Sequence, residues 1–255
     1  MKRLVFFLYG ILCYALFFAV FLYAIGFVGN LLVPKSIDNG PATPILWALL
    51  IDAALLTLFA VQHSVMARPG FKKRWTKIVP PAIERSTYVL FANLALILLY
   101  WQWRPVSNVI WSVEGAGATA LTALFWTGWG IVFLSTFMIS HVHLFGLQQI
   151  YQNLKGRDLT DPQFTTRGFY SFIRHPLMFG FIIAFWSAPV MTAGHLFFAA
   201  ASTGYILVAL QLEEHDLVRF LGRRYLEYRE RVPMLLPLPK RRSTSDSTGS
   251  PAVER

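Results

Sequence analysis

Two groups of ionisable and aromatic residues stand at the ends of one apolar stretch. The first is Tyr170 with Arg174-His175-Pro176; the second is Glu213-Glu214, then Phe220, Gly222, Tyr225, Tyr228 and Val232-Pro233. Residues 177–212 between them are apolar, and Pro189 and Ala193-Gly194 divide them into a helical hairpin, since proline and glycine both weaken a continuous helix. A hairpin returns the chain to the side it left, so its two feet can meet. Arg174 and His175 can hold a carboxylate through charge-assisted hydrogen bonds. Glu213 and Glu214 can accept from an ammonium or from two ribose hydroxyls. Tyr170, Phe179, Tyr225 and Tyr228 offer ring faces to a cation or an adenine. Pro176 keeps His175 out of helical geometry at the lip of the hairpin.

Each piece alone has a plainer reading: an interfacial anchor, a carboxylate at a helix start, a packing tyrosine. Their joint order and spacing suit a ligand with both charges, and S-adenosylmethionine carries a carboxylate, an ammonium, a sulfonium, a ribose and an adenine. Other chemistries lack their motifs. There is no phosphate-binding glycine loop, no GxSxG and no HExxH. His141 and His143 are two apart and point to different faces of a helix, so no metal site is expected.

The elements that position these residues are membrane helices. The 255 residues are 55% hydrophobic and only 14% charged, well below the quarter typical of soluble domains. Cys13 is the single cysteine and can form no internal disulfide. Apolar runs at 4–33, 45–65, 88–101 and 121–145 read as four spans, and Asp52 sits inside the second. Trp101, Trp103 and Trp111 read as an interfacial aromatic belt. After Glu213 a charged amphipathic helix runs to about residue 231, with Leu217, Phe220, Leu221, Tyr225 and Tyr228 at helical spacing. Placing the N-terminus inside puts 21 Lys and Arg on the inner side and only Lys35 and Arg104 outside. That asymmetry orients both termini, and both polar groups, to the cytoplasm. It also accounts for the basic charge without a nucleic-acid partner. The expected fold is an all-α integral membrane protein of five to six transmembrane helices, four spans plus the hairpin. Residues 1–145 form the bundle, 146–237 the cofactor-binding core and 238–255 a disordered tail.

The pattern Arg174-His175-Pro176, Glu213-Glu214, Phe220-x-Gly222-x-x-Tyr225-x-x-Tyr228 and Val232-Pro233 resembles the isoprenylcysteine carboxyl methyltransferase and phospholipid methyltransferase superfamily. His141-x-x-Leu144-Phe145-Gly146-Leu147-x-Gln149, Phe185-Trp186-x-x-Pro189-x-Met191-Thr192-x-Gly194-His195 and Val232-Pro233-Met234-Leu235 narrow this to a group similar to bacterial methanethiol S-methyltransferases and nurim-like proteins. Gln62-His63-Ser64 and Glu84-Arg85-Ser86-Thr87-Tyr88 fit the same group. His143 departs from it, standing where an acidic residue is expected.

The resemblance implies methylation of a small volatile thiol, methanethiol, to dimethyl sulfide in the bacterial inner membrane. It carries Arg174, His175, Glu213 and Glu214 over as residues that hold S-adenosylmethionine, and Gln149, Tyr170, Pro176, Tyr225 and Tyr228 complete the expected cofactor site. The nucleophile is a thiolate, so a base is needed. His141 is the candidate, with Tyr170 and Arg174 to orient the thiol; a purely hydrogen-bonding His141 is the alternative. A wall of Phe181, Phe185, Trp186 and Met191 is expected to admit the thiol from the bilayer. A prenylcysteine or phospholipid acceptor, or a non-enzymatic scaffold, are the rival readings.

Overall fold

The computed structural model describes residues 1–160 and 164–236. The expected tail at 238–255 lies outside the described residues. Among them, five helices are long and apolar enough to cross a membrane: α1 (Lys2–Gly29), α2 (Ile45–Ala67), α4 (Pro81–Gln102), α5 (Gly115–Ile139) and α9 (Ala193–Leu221). Three short helices, α3 (Pro69–Trp75), α6 (His141–Leu144) and α7 (Leu147–Leu154), lie at the end of the bundle that carries the N-terminus. The basic loops gather there, and it is called the basic face below.

The all-α membrane expectation holds, and six details differ from it. The fourth span stops at Ile139, because Ser140 takes φ 130° and breaks the helix; His141 therefore begins a separate turn. The hairpin's first arm, α8 (Pro176–Trp186), has only 11 residues, about 16 Å against an apolar thickness of about 30 Å. An extended stretch follows it, and its strand β2 (Val190–Thr192) pairs antiparallel with β1 (Val109–Ser112) in the loop before α5. Neither strand is expected from the sequence pattern. Pro189 does divide the hairpin, but Ala193 and Gly194 start a helix rather than weaken one. Thr192 caps α9 by accepting from the His195 amide at 3.1 Å, and Gly194 has no Cβ to meet the Val106 backbone nitrogen, which would lie 2.9 Å away.

Next, α9 runs through Glu213 without a break and ends at Gly222, whose φ of 57° suits a residue without a side chain; the amphipathic helix is the separate α10 (Arg223–Arg231). Finally, Trp103 is no belt residue. It is fully buried, donates its indole N–H to the Ile37 carbonyl, and packs edge-on against Phe27 and Phe198.

The core joins α1, α4, α5, α8 and α9 through Phe27, Tyr100, Trp103, Trp129, Ala184 and Phe198. Its tightest seam is α5 on α8. A Cβ on Gly128 would lie 2.6 Å from the Ala184 nitrogen, and one on Gly180 would lie 2.7 Å from the Gly128 carbonyl oxygen. The two backbones touch, which is how membrane helices pack when lipid offers no hydrophobic drive between them. This seam sets the position of Pro176, and so of Arg174 and His175.

Asp52 is fully buried on the side away from the basic face, where its Oδ1 accepts from the Arg104 amide at 2.8 Å. Its role there is to hold the loop after α4. Asp52→Leu should destabilise by about 1–3 kcal/mol because that amide loses its acceptor, and Asp52→Asn by less. Thermal unfolding in detergent reads the difference, and equal losses for both variants would contradict it.

Candidate active site

At the basic face, residues from four distant stretches converge. Arg174 lies between a 3-10 turn (Gly168–Ser171) and α8. Its Nε donates to Glu214 Oε1 at 2.6 Å, and its Nη2 stands 2.6 Å from the same oxygen. Nη1 donates to the carbonyls of Val232 at 2.5 Å and Arg229 at 3.2 Å. The amides of Arg174 and His175 donate to the carbonyls of Pro233 and Met234, tying the segment after α10 beside them. His175 Nε2 donates to Glu214 Oε1 at 3.2 Å, and its Nδ1 stands 3.7 Å from Glu213 Oε2. Arg174, His175 and Glu214 are each at least nine-tenths buried, whereas the Glu213 side chain is about half exposed.

This geometry revises one expectation. All three Arg174 nitrogens are committed inside the protein, so Arg174 is the clamp of the site rather than a free carboxylate receptor. Its charge and the Glu214 charge compensate one another in a setting where either alone would be costly. Glu213 is the carboxylate left open.

The tyrosines close the other side. Tyr228 donates to the Tyr170 carbonyl at 2.5 Å, and Tyr225 and Tyr228 pack with Phe164. The Tyr170 and Tyr225 hydroxyls are buried without a partner. Burial and the nearby Glu213 charge push the Tyr170 phenol well above its ordinary range, and burial with the Glu214 charge does the same at Tyr225. Burial raises Tyr228 to about 12. All three are therefore neutral O–H donors. Two buried, unpartnered donors beside an open carboxylate fit a ligand that brings both acceptors and an ammonium.

His141 sits in an aromatic cage. Its ring stacks on Phe137 at 4.4 Å and meets Tyr14 and Phe145 at 5.6 and 4.8 Å. Both ring nitrogens have partners, Nε2 with Tyr14 Oη at 2.8 Å and Nδ1 with Thr136 Oγ1 at 2.8 Å. The Thr136 hydroxyl donates its single proton to the Phe133 carbonyl at 2.7 Å. Nδ1 therefore carries the imidazole proton and Nε2 accepts from Tyr14. Burial lowers the His141 pKa, which favours the neutral ring. The Tyr170 turn reaches the same helix end: the Phe169 amide donates to Met138 Sδ, three residues before His141.

The other expected residues scatter. Gln149, with its Oε1 buried and unpartnered, borders a cavity of about 550 Å³ with Glu84, Arg85, Ser140 and His143. Pro176 is buried at the first turn of α8. Phe181 and Phe185 fill the core against Trp129. Trp186 turns to the flank and donates to Thr203, and Met191 is sealed in β2 at the far face. The structure does not bring these four together as a substrate wall, because α8 climbs away from the basic face and its rings are consumed in packing.

Two stretches that carry the resemblance, but have no assigned role in the site, meet partners from other helices. His63 meets Tyr88, Ser64 meets Tyr205 at 3.1 Å, and Arg68 pairs with Asp216 at 2.8 Å. Arg85 lies over the Tyr88 ring at 4.9 Å, and Asp216, the partner of Arg68, follows Glu213 by three residues on α9. The Gln62-His63-Ser64 and Glu84-to-Tyr88 stretches were visible as polar residues at helix ends. Apart from the family resemblance, nothing local distinguishes them from interfacial anchors.

Comparison with known proteins places the chain beside one group. It is 55% identical to methanethiol S-methyltransferase of Mycobacterium tuberculosis over 94% of this chain and 99% of that protein. It is 52% identical to methanethiol S-methyltransferase 2 of Bradyrhizobium diazoefficiens over 98% and 96%. Mouse nurim is 30% identical over 68% of this chain and 69% of its own length. No protein-family model matches the chain, and no solved structure matches it.

Proposed function

The chain belongs to the methanethiol S-methyltransferase family, and we propose that it methylates methanethiol to dimethyl sulfide with S-adenosylmethionine as donor. The observation that carries this reading is the convergence of residues 170–176 with 213–228 around one open carboxylate. When bound, S-adenosylmethionine supplies a sulfonium methyl group that a thiolate takes by in-line displacement, without a metal or a covalent enzyme intermediate.

Glu213 takes the donor's ammonium, and the idle hydroxyls of Tyr170 and Tyr225 donate to its oxygens. His175 orients Glu213 across 3.7 Å, while Arg174 and Glu214 fix the frame. Pro176 sets the start of α8, and Tyr228 holds the Tyr170 turn through its carbonyl. Gln149 borders the adjoining cavity. His141 is the base that takes up the charge of the proton the thiol gives up, and the aromatic cage around it limits water there. The basic face is on the cytoplasmic side of the inner membrane in this reading, which the 21 to 2 split of Lys and Arg supports.

Purified protein in nanodiscs, given methyl-labelled S-adenosylmethionine with methanethiol, a prenylcysteine or phosphatidylethanolamine in separate vials, should release labelled dimethyl sulfide from the first vial only. Label in a prenylcysteine ester or a methylated lipid, with no volatile product, would overturn the acceptor assignment.

A further inference from the structure

Tyr14 comes from α1, outside the stretch that holds the donor residues, yet its hydroxyl lies 2.8 Å from His141 Nε2. That contact covers the one lone pair the His141 ring has to offer, since Nδ1 is held by Thr136. A thiol therefore cannot reach the imidazole nitrogen while the cage is closed. It can reach the second lone pair of the Tyr14 oxygen, because Tyr14 is only partly buried and caged by Phe17, Phe145 and His141.

We propose that Tyr14 is a catalytic residue that relays the thiol proton to His141. The inference rests on the thiol methyltransferase reading above. As methanethiol ionises, its S–H bond breaks and its proton joins Tyr14 Oη. In the same step the original Tyr14 O–H bond breaks and that proton joins His141 Nε2. The sulfur keeps its electron pair as a thiolate, Tyr14 ends neutral, and His141 becomes an imidazolium. Thr136 is a positioning residue: it accepts from Nδ1–H in both states, keeping Nε2 turned to Tyr14. The proton returns to solvent after methyl transfer.

The arrangement gives a role to an imidazole with no free nitrogen at the helix end that the Tyr170 turn reaches. It also predicts that need for the relay depends on acceptor acidity. Methaneselenol has nearly the size and shape of methanethiol but is largely ionised at neutral pH, so it needs no base.

The test compares wild type with Tyr14→Phe, which keeps the ring and its packing and removes only the relay oxygen. Turnover of methanethiol should fall on the order of 100-fold, within the range for general acid–base catalysis. Turnover of methaneselenol should fall less than threefold, and donor affinity by calorimetry should stay within threefold. Equal losses with both acceptors, or a loss of donor binding, would show Tyr14 to be structural and overturn the relay. Unchanged methanethiol turnover would overturn it as well. If wild type methylates neither acceptor, the thiol methyltransferase reading itself fails, which is a separate result from failure of the relay.

Discussion

Glu214→Ala is expected to give the largest single loss. Removing this carboxylate leaves the Arg174 guanidinium buried without its counter-charge, and His175 loses its Nε2 acceptor. Breaking a buried ion pair from one side costs about 3–5 kcal/mol, a large share of the stability of most domains. The damage should concentrate where Arg174 also ties the backbone, at residues 229–234. Limited proteolysis should therefore cut the segment after α10 much faster in Glu214→Ala than in wild type, and methyl transfer should be undetectable. Arg174→Met combined with Glu214→Leu removes both charges at once. It should unfold later than either single variant while remaining inactive. If the double variant is no more stable than the singles, the pair is not the clamp described here.

Gly180→Val should be second. Its side chain would have to enter the space of the Gly128 carbonyl and the Val132 nitrogen, 2.7 and 2.9 Å from the first carbon alone. Those are backbone atoms and cannot rotate away. Overpacking a core ordinarily costs about 1–3 kcal/mol. Here the strain also lifts α8, carrying Arg174 and His175 with it. A misplacement of about 1 Å near a reacting centre can cost on the order of 100-fold in rate, so activity should fall at least that far even in the folded fraction. Gly130→Ala, on the open side of the same helix α5, provides the control: a Cβ there meets nothing within 4 Å. It should be neutral or slightly stabilising, as alanine is a better helix former than glycine by roughly 1 kcal/mol. Similar losses for Gly130→Ala and Gly180→Val would remove the seam from the explanation.

Much of this arrangement is legible in the sequence, for physical reasons. Long apolar runs reveal spanning helices because lipid forces the backbone to satisfy itself, and the Lys and Arg bias orients them. The same reasoning links Arg174-His175 with Glu213-Glu214, since a hairpin must bring its feet to one face. Local sequence does not reveal where a helix bends. Ser140 takes φ 130° with no glycine or proline to announce it, and that bend gives His141 its own turn. The strand pair was hidden because three or four residues carry no periodicity to read. Trp103 and Met191 look like interfacial and pocket residues by type, but their neighbours, Ile37 and Trp111, come from remote loops. The partners of Arg174 were likewise invisible: a free guanidinium and one saturated by backbone carbonyls have the same sequence.

Calorimetric titration of S-adenosylmethionine into the purified protein and into Glu213→Ala tests most directly whether the two feet of the hairpin hold the donor. Glu213 is half exposed and approaches the buried His175 only at 3.7 Å, while His175 keeps Glu214 as its nearer partner, so the variant should unfold close to the wild-type temperature. One donor should bind per wild-type chain, and Glu213→Ala should bind it at least tenfold more weakly, about 1.4 kcal/mol. Equal affinity in the two proteins, or no binding to the wild type, would contradict a donor site at this face.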